Sequence, residues 1–213
     1  MKKFVSVVLL PFAAILCFMP GCGSATQKPA PDLPSEKAAP QAQKQFDVLH
    51  PLNFGEKNGR PVIANCTERI VEIPFVHRHL PYPYRGRVLD VGYLESELIF
   101  QIASLGFETW GIDIRPPAVE FSGIRFIQGD VIQYPLKPHS FDVVVAVSTV
   151  EHIGLQAYGN VAADPQGDLH ALQAAHRALK PRGRLILTVP FGMLGASDWY
   201  RVYDHKALLA LLS

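Results

Sequence analysis

Asp90 and Asp113 each stand at the end of a short apolar run, and Gly92 follows the first of them by two positions. A carboxylate closing a buried parallel strand can accept both hydroxyls of a ribose lying across the strand ends. Asp113 is the candidate for that role. The turn between the two runs reads Gly92-Tyr93-Leu94-Glu95-Ser96. A dinucleotide turn needs G-x-G-x-x-G, so that backbone amides can approach a pyrophosphate. Here there is no second glycine, and Glu95 would set negative charge where a phosphate should lie, at a cost in a partly desolvated pocket. Asp90, Gly92 and Glu95 therefore suit a nucleoside that carries positive charge and no phosphate.

A second pair of titratable residues, Glu151 and His152, follows an apolar run later in the chain. A histidine near neutral pKa is a plausible proton acceptor, so His152, with Glu151 beside it, is the candidate catalytic group. Packing within a loop is the plainer alternative for both. Tyr158, Tyr200, Arg201 and Tyr203 could bind an acceptor or simply pack. No metal site is expected. His77 and His79 lie among arginines and prolines without cysteine or carboxylate at ligand spacing, and His170 and His176 are six apart, which does not put both on one narrow helix face. All four read as surface or loop histidines.

The elements that would position these groups follow a βαβ plan. Residues 88–91 form a strand, Gly92 permits its sharp exit, and Ser96 can cap a helix whose Leu98, Ile99, Ile102 and Leu105 recur at helical spacing. Gly106 ends that pattern, and residues 108–112 make a second strand closing on Asp113. Further strands are expected at 124–128, followed by Gly129-Asp130-Val131, at the β-branched run 141–147, and at 185–189. A crossover helix over 168–179, with Leu169, Leu172, Ala175 and Leu179 on one face and a Lys-Pro-Arg-Gly stop, separates the last two.

The pieces VLDVG, GIDIR, QGD at 128–130, SFDVVVAVSTVEHIG from Ser140 and LKPRGRLILTVPFG from Leu179, in this order, resemble class I S-adenosylmethionine-dependent methyltransferases. The EHIGLQAYGN run, the acidic stretch 164–168, the VPFG and the WYRVYD are similar to a poorly characterised bacterial branch linked to sugar or cell-surface polymer modification. The likeness runs from about Thr67 to the C-terminus and implies a Rossmann-like α/β domain with a mostly parallel sheet. It also implies S-adenosylmethionine as cofactor, a nucleoside with an ammonium, a sulfonium and no phosphate. Carried over by position, it sets Asp90 and Gly92 beside the methionine end, with Glu95 in the same turn, and Asp113 on the ribose. It sets Asp130 near the adenine amine, the Val131 backbone over the adenine, and Ser148 in the cleft wall. The turn departs from the family, which has two or three glycines there and smaller residues than Tyr93 and Leu94. The implied reaction is methyl transfer to a small-molecule or glycan acceptor. A noncatalytic lipoprotein module on a degenerate methyltransferase fold is the alternative, and a nicotinamide oxidoreductase a third reading.

The N-terminus points elsewhere. Met1-Lys2-Lys3 precedes a nearly unbroken apolar run to Met19, interrupted by Pro11, and Gly21-Cys22 stands where a bacterial lipoprotein is cleaved and acylated. Residues 1–22 are thus expected to be a signal or lipoprotein segment, residues 23–45 a Pro, Ala, Gln and Lys tether without hydrophobic period, and residues 46–213 the folded domain. An uncleaved anchor and a mis-chosen start codon are the alternatives. The expected location is membrane-associated, on a side the flanking lysines leave open. A lipoprotein's folded part faces away from the cytosol where S-adenosylmethionine is made, so the two halves pull against each other. The formal charge of +1 excludes a nucleic-acid footprint, and with Cys17 and Cys22 in the leader only Cys66 is left, which allows no internal disulfide. The domain is expected to lack the last two C-terminal strands of the family. The strand at 185–189 would then be an apolar edge, open to a protein partner.

Overall fold

The computed structural model describes residues 6–13, 54–57, 60–63, 68–82, 86–117, 119–159 and 163–213. Gly21-Cys22 and the tether fall outside these residues. Ten strands occur among the described residues: β1 (Ser6–Ala13), β2 (Phe54–Lys57), β3 (Arg60–Ile63), β4 (Arg87–Val91), β5 (Glu108–Asp113), β6 (Ile124–Gln128), β7 (Phe141–Val147), β8 (Leu179–Phe191), β9 (Gly195–Ala196) and β10 (Arg201–Val202). The helices are α1 (Arg69–His79), α2 (Leu98–Ser104), α3 (Gly167–Ala178) and α4 (His205–Leu211).

The main sheet has the order β1-β8-β7-β4-β5-β6, and every pairing in it is parallel. It is built as the β-branched runs demand: Val143, Val144 and Val145 on β7 and Ile186 and Leu187 on β8 are completely inaccessible, because helices and loops cover both faces. The chain leaves β4 toward β5 and β6 on one side and returns to β7 and β8 on the other. That reversal puts a crevice at the carboxyl ends of β4 and β7, where open α/β sheets bind ligands.

The βαβ unit forms within a residue or two of its expected bounds. Ser96 Oγ accepts from the Leu98 amide at 3.3 Å, and Leu98, Ile99 and Ile102 are fully buried, each contributing roughly 2 kcal/mol of apolar burial. The helix expected at 168–179 is α3, whose Ala171, Leu172, Ala175 and Ala178 pack on the sheet.

Three features differ from the sequence reading. Residues 69–79 form a helix rather than a loop, with Pro74 inside it; Glu72, Val76 and Leu80 recur four apart and are buried, and that spacing outweighs the hydrogen bond a proline removes. His77 and His79 sit on this helix, bonded to Gln101 Oε1 and the Phe75 carbonyl. Next, the β8 edge is not open: β1 runs along it from Ser6 opposite Arg184 to Ala13 opposite Phe191. Ser6–Ala13, part of the run read as a leader, thus occupies the outermost sheet position and pairs the β8 backbone edge. Last, β9 and β10 form a small antiparallel pair between β8 and α4, separate from the main sheet. No helix among the described residues is long and apolar enough to cross a membrane.

Candidate functional site

The crevice at the switch point is a cavity walled by the ends of β4 and β5, the loops after β6 and β7, and the first residue of α1. Gly92, Glu95, Asp113, Asp130, Val131, Ser148 and His152 all line it. Seven residues proposed from sequence therefore meet in one place. Asp90 and Glu151 do not reach its wall: they are 2% and 1% exposed and lie beneath it.

Gly92 is required by geometry. Its φ of +77° lies in the left-handed region, and a Cβ there would come within 2.5 Å of the Thr149 side chain. The chain then makes a single 3₁₀ turn, Tyr93–Glu95, instead of the glycine-rich loop of the family. Tyr93 packs this turn onto the sheet: its ring is buried against Phe126, with centroids 5.1 Å apart, and lies over Gly111, where a Cβ would meet it.

The Glu95 charge is not free, which corrects the expectation that it would act on a ligand as a bare carboxylate. Arg115 Nη1 donates to its Oε1 at 2.8 Å, and the Tyr158 hydroxyl donates to Oε2 at 3.1 Å. Burial alone would raise this carboxyl, but those two hydrogen bonds outweigh it and hold it below the usual range. Arg115 also grips Asp113 and lies over the Tyr158 ring, 4.5 Å from its centroid. One arginine thus ties the turn after β4, the end of β5 and the loop after β7 into a rim.

Beneath the cavity the acids behave differently. Burial pushes Asp90 up to about 7 against the pull of the Arg69 cation, and its Oδ2 has no hydrogen-bond partner among the described residues. Burial likewise pushes Glu151 up to about 8, reinforced by the nearby Glu72 carboxylate, and its Oε2 is also unpartnered. Near neutral pH these two positions carry much less charge than their residue types suggest.

His152 borders the cavity with a fixed tautomer. Its Nδ1 lies 2.6 Å from the Trp199 carbonyl oxygen, which can only accept, so Nδ1 carries the hydrogen and Nε2 keeps a lone pair. Burial lowers its pKa, more than that carbonyl bond raises it. The ring is packed edge-on against Tyr158 and Trp199. A neutral imidazole with an available nitrogen at a cavity wall is the arrangement a general base requires.

Of the acceptor candidates, Tyr158 lines the cavity and Tyr200 is exposed. Arg201 and Tyr203 do structural work instead. Arg201 donates to the carbonyls of Glu151, Ile153, Asp164 and Pro165, stapling the loop that carries His152, and Tyr203 is buried with its hydroxyl on Asp168. Sequence reasoning missed Arg69 and Glu72, which α1 brings to the crevice. The Glu72, Val76, Leu80 spacing was the signal, obscured by Pro74. Among the described residues no group of three or more His, Cys, Asp or Glu could hold a metal ion.

Residues 89–187 match the methyltransferase domain family. Among solved structures the chain is similar to the 1,6-didemethyltoxoflavin-N1-methyltransferase of Burkholderia thailandensis, solved with 1,6-didemethyltoxoflavin and S-adenosylhomocysteine (18% identity, TM-score 0.50, covering 84% of this chain and 80% of that one). A SAM dependent methyltransferase from Archaeoglobus fulgidus is similar at 20% identity and TM-score 0.52, over 68% and 66% of the two chains. The cyclase SpnF is similar at 18% identity and TM-score 0.54, over 80% and 66%. At these identities the likeness is one of fold, and it extends to proteins of different reaction. Comparison with curated proteins found no match.

Proposed function

We propose that this chain, which carries a class I methyltransferase domain over residues 89–187, binds S-adenosylmethionine in the crevice and transfers its methyl group to a small or sugar-like acceptor. The observation that carries this reading is the convergence of Gly92, Asp113, Asp130, Val131 and Ser148 on one cavity at the switch point. The residues fit the cofactor: Asp113 keeps an acceptor site on Oδ2 for a ribose, Asp130 and the Val131 backbone stand at the next strand end for the adenine, and Gly92 with Ser148 borders the methionine end. Glu95 contributes by holding Arg115 and Tyr158 at the rim rather than by acting on the ligand directly.

The sulfonium of the bound cofactor supplies an already activated methyl group, so the protein's task is to orient the acceptor and exclude water. His152 Nε2 would accept the proton of a hydroxyl or ammonium acceptor, and the Trp199 carbonyl would hold the imidazole in the tautomer that can do so. Glu151 lies beneath the ring with Oε1 4.0 Å from Nε2, beyond hydrogen-bond distance, so the imidazole is oriented by the Trp199 carbonyl rather than by this carboxyl. The second reading is a noncatalytic binding module, favoured by one observation: Asp113 is already engaged by Arg115.

Thermal denaturation of the full chain with S-adenosylmethionine, S-adenosylhomocysteine or NAD tests the cofactor class. A ligand at a hundred times its Kd adds about 2.7 kcal/mol, a rise of roughly 5–10 °C in a domain of this size. The first two ligands should give such a rise and NAD none. A rise with NAD alone would support the oxidoreductase reading instead.

A further inference from the structure

We infer that the methyl acceptor is an uncharged ring bearing a hydroxyl, and that it stacks on Trp199 at the mouth of the cavity, with Tyr158 as the adjoining wall. This inference rests on the methyl-transfer reading and names the acceptor class for it. It uses a residue outside the segment 89–187 that matches the methyltransferase domain family.

Three aromatic rings gather around His152. The Tyr158, Trp199 and Tyr200 rings stand 5.3, 5.9 and 6.4 Å from the imidazole, centroid to centroid, and Tyr158 and Trp199 are 4.8 Å from each other. Tyr158 and His152 line the cavity, so Trp199 and Tyr200 carry its wall outward. These two outer rings stay largely uncovered, with Trp199 48% exposed and Tyr200 39%. A large aromatic left half in water beside a cavity offers apolar area that an incoming ring would bury.

The loop that carries them is tied down. Ser197 closes the turn of the β9–β10 hairpin: its Oγ accepts from the Trp199 and Tyr200 amides at 3.2 and 3.1 Å, and its own amide donates to the Tyr200 carbonyl at 2.9 Å. The Trp199 carbonyl accepts from His152 Nδ1, and Arg201 anchors β10 on the carbonyls of Glu151 and Ile153. Tyr158 is held at a φ of +56°, in the left-handed region that a side chain disfavours, so its surroundings fix it there. Rings placed before the ligand arrives lose little freedom when it binds, which is what a stacking platform needs.

Charge decides which ring. Arg115 lies over the Tyr158 ring, 4.5 Å from its centroid, so the aromatic wall that would attract a cationic acceptor already holds a cation. Arg115 is paired in turn with Glu95, and Asp164 is bonded to His170 Nδ1 at 2.7 Å. An ammonium acceptor would face Arg115 and a carboxylate acceptor would face Glu95 and Asp164, whereas a neutral ring gains contact area without either repulsion. A ring stacked on Trp199 also brings its substituents to the imidazole that Trp199 packs against, where Nε2 keeps a lone pair for a hydroxyl proton. A pyranose, through its C–H face, and a phenol, through its π face, both answer this description.

Trp110 and Trp199 are the two tryptophans of the chain, so in Trp110→Phe the emission reports on Trp199 alone. The full chain with that substitution is titrated with methyl β-glucopyranoside, 4-methylphenol and tetramethylammonium in the presence of S-adenosylhomocysteine. Ligand-detected NMR titrations with the same probes compare wild type, Trp199→Ala and Trp199→Phe, and circular dichroism melts establish that each protein is folded. At least one neutral ring should shift the Trp199 emission saturably and the cation should not; which ring does so tells a pyranose from a phenol. Trp199→Ala should weaken binding of that ring about tenfold and Trp199→Phe less than about threefold, because the stack is kept. Affinity for S-adenosylhomocysteine should be unchanged in both, since the Trp199 carbonyl that holds His152 is a backbone group. A shift with tetramethylammonium alone, no shift with any probe, or equal ring affinity in Trp199→Ala would overturn the assignment while leaving the cofactor reading intact. A folded wild type that does not bind S-adenosylhomocysteine removes the methyl-transfer reading and the acceptor role together. Should Trp199→Ala not fold, the emission titration decides alone, because a Trp199 whose emission no ring shifts is not stacked upon.

Discussion

Arg115 holds both carboxylate oxygens of Asp113: its backbone amide and Nε reach Oδ1 at 2.9 and 3.1 Å, and its Nη2 reaches Oδ2 at 3.2 Å. A carboxylate oxygen has two acceptor sites, so Arg115 fills those of Oδ1 while Oδ2 keeps one with which a ribose hydroxyl can share Asp113. Removing the arginine leaves Asp113 and Glu95 facing each other without a cation between them. Arg115→Ala should therefore lower the melting temperature by about 2–4 °C, on the scale of about 1 kcal/mol for a partly exposed ion network, and 0.5 M salt should shrink the difference. Thermal melts at two ionic strengths measure both.

His152→Ala should lower kcat by roughly 10²–10⁴ while leaving S-adenosylhomocysteine affinity within about threefold, since a base acts on the acceptor rather than on the cofactor. The rate should be flat above pH 7 and fall as the pH drops through a midpoint below the ordinary histidine value, because burial lowers the pKa and protonation removes the lone pair. Single-turnover formation of S-adenosylhomocysteine across pH reads both effects. Loss of cofactor affinity in this variant would instead assign His152 to the cofactor site.

Stability should fall as the pH rises from 6.5 to about 8 and level off above that. Asp90 and Glu151 are pushed up to about 7 and about 8 by burial, so in this window the folded chain keeps protons that the unfolded chain has already lost. Stabilisation from such a raised acid is complete only below its unfolded pKa and is lost progressively as the pH rises from there to the folded pKa, at up to about 1.4 kcal/mol per pH unit for each group, with no further loss above it. His152 does not oppose this trend, because its lowered pKa adds slope only below the unfolded value. Glu151→Gln should flatten the upper part of the profile and Asp90→Asn the lower part, as urea melts at several pH values would show.

The fold was legible wherever one local pattern decided it. Strands β4 to β7 and helices α2 and α3 lie where apolar periodicity, Gly92 and the turn residues put them, because each buries a face its own sequence defines. The cavity residues were legible for a related reason: they sit at strand ends, and strand ends are fixed by the runs that precede them. What escaped depends on contacts far along the chain. The pairing of Arg115 with Glu95 spans a crossover, the bond from Glu72 to Thr188 joins α1 to β8, and Arg201 reaches back to the His152 loop. No local pattern announces such partners, so Glu95 reads as a free charge and Arg201 as either an acceptor-binding or a packing residue.

The place of β1 makes a further prediction about the N-terminus. Residues 1–22 can serve as a leader, or Ser6–Ala13 can cover β8, but one copy of the segment cannot do both at once. A chain beginning at Cys22 should expose the β8 backbone edge from Arg184 to Phe191 and self-associate in a concentration-dependent way, while the full chain does not. Light scattering after size exclusion compares them. Palmitate labelling of wild type and Cys22→Ser tests the lipoprotein expectation separately.

The most direct test of the central claim is a calorimetric titration of S-adenosylhomocysteine into the full chain and into Asp113→Ala. A ribose anchored on that carboxylate predicts saturable one-to-one binding by the wild type. It also predicts at least a tenfold weakening in the variant, the scale of a lost hydrogen bond to a charged group. No binding by a folded wild type, or equal affinity in the two proteins, would contradict it.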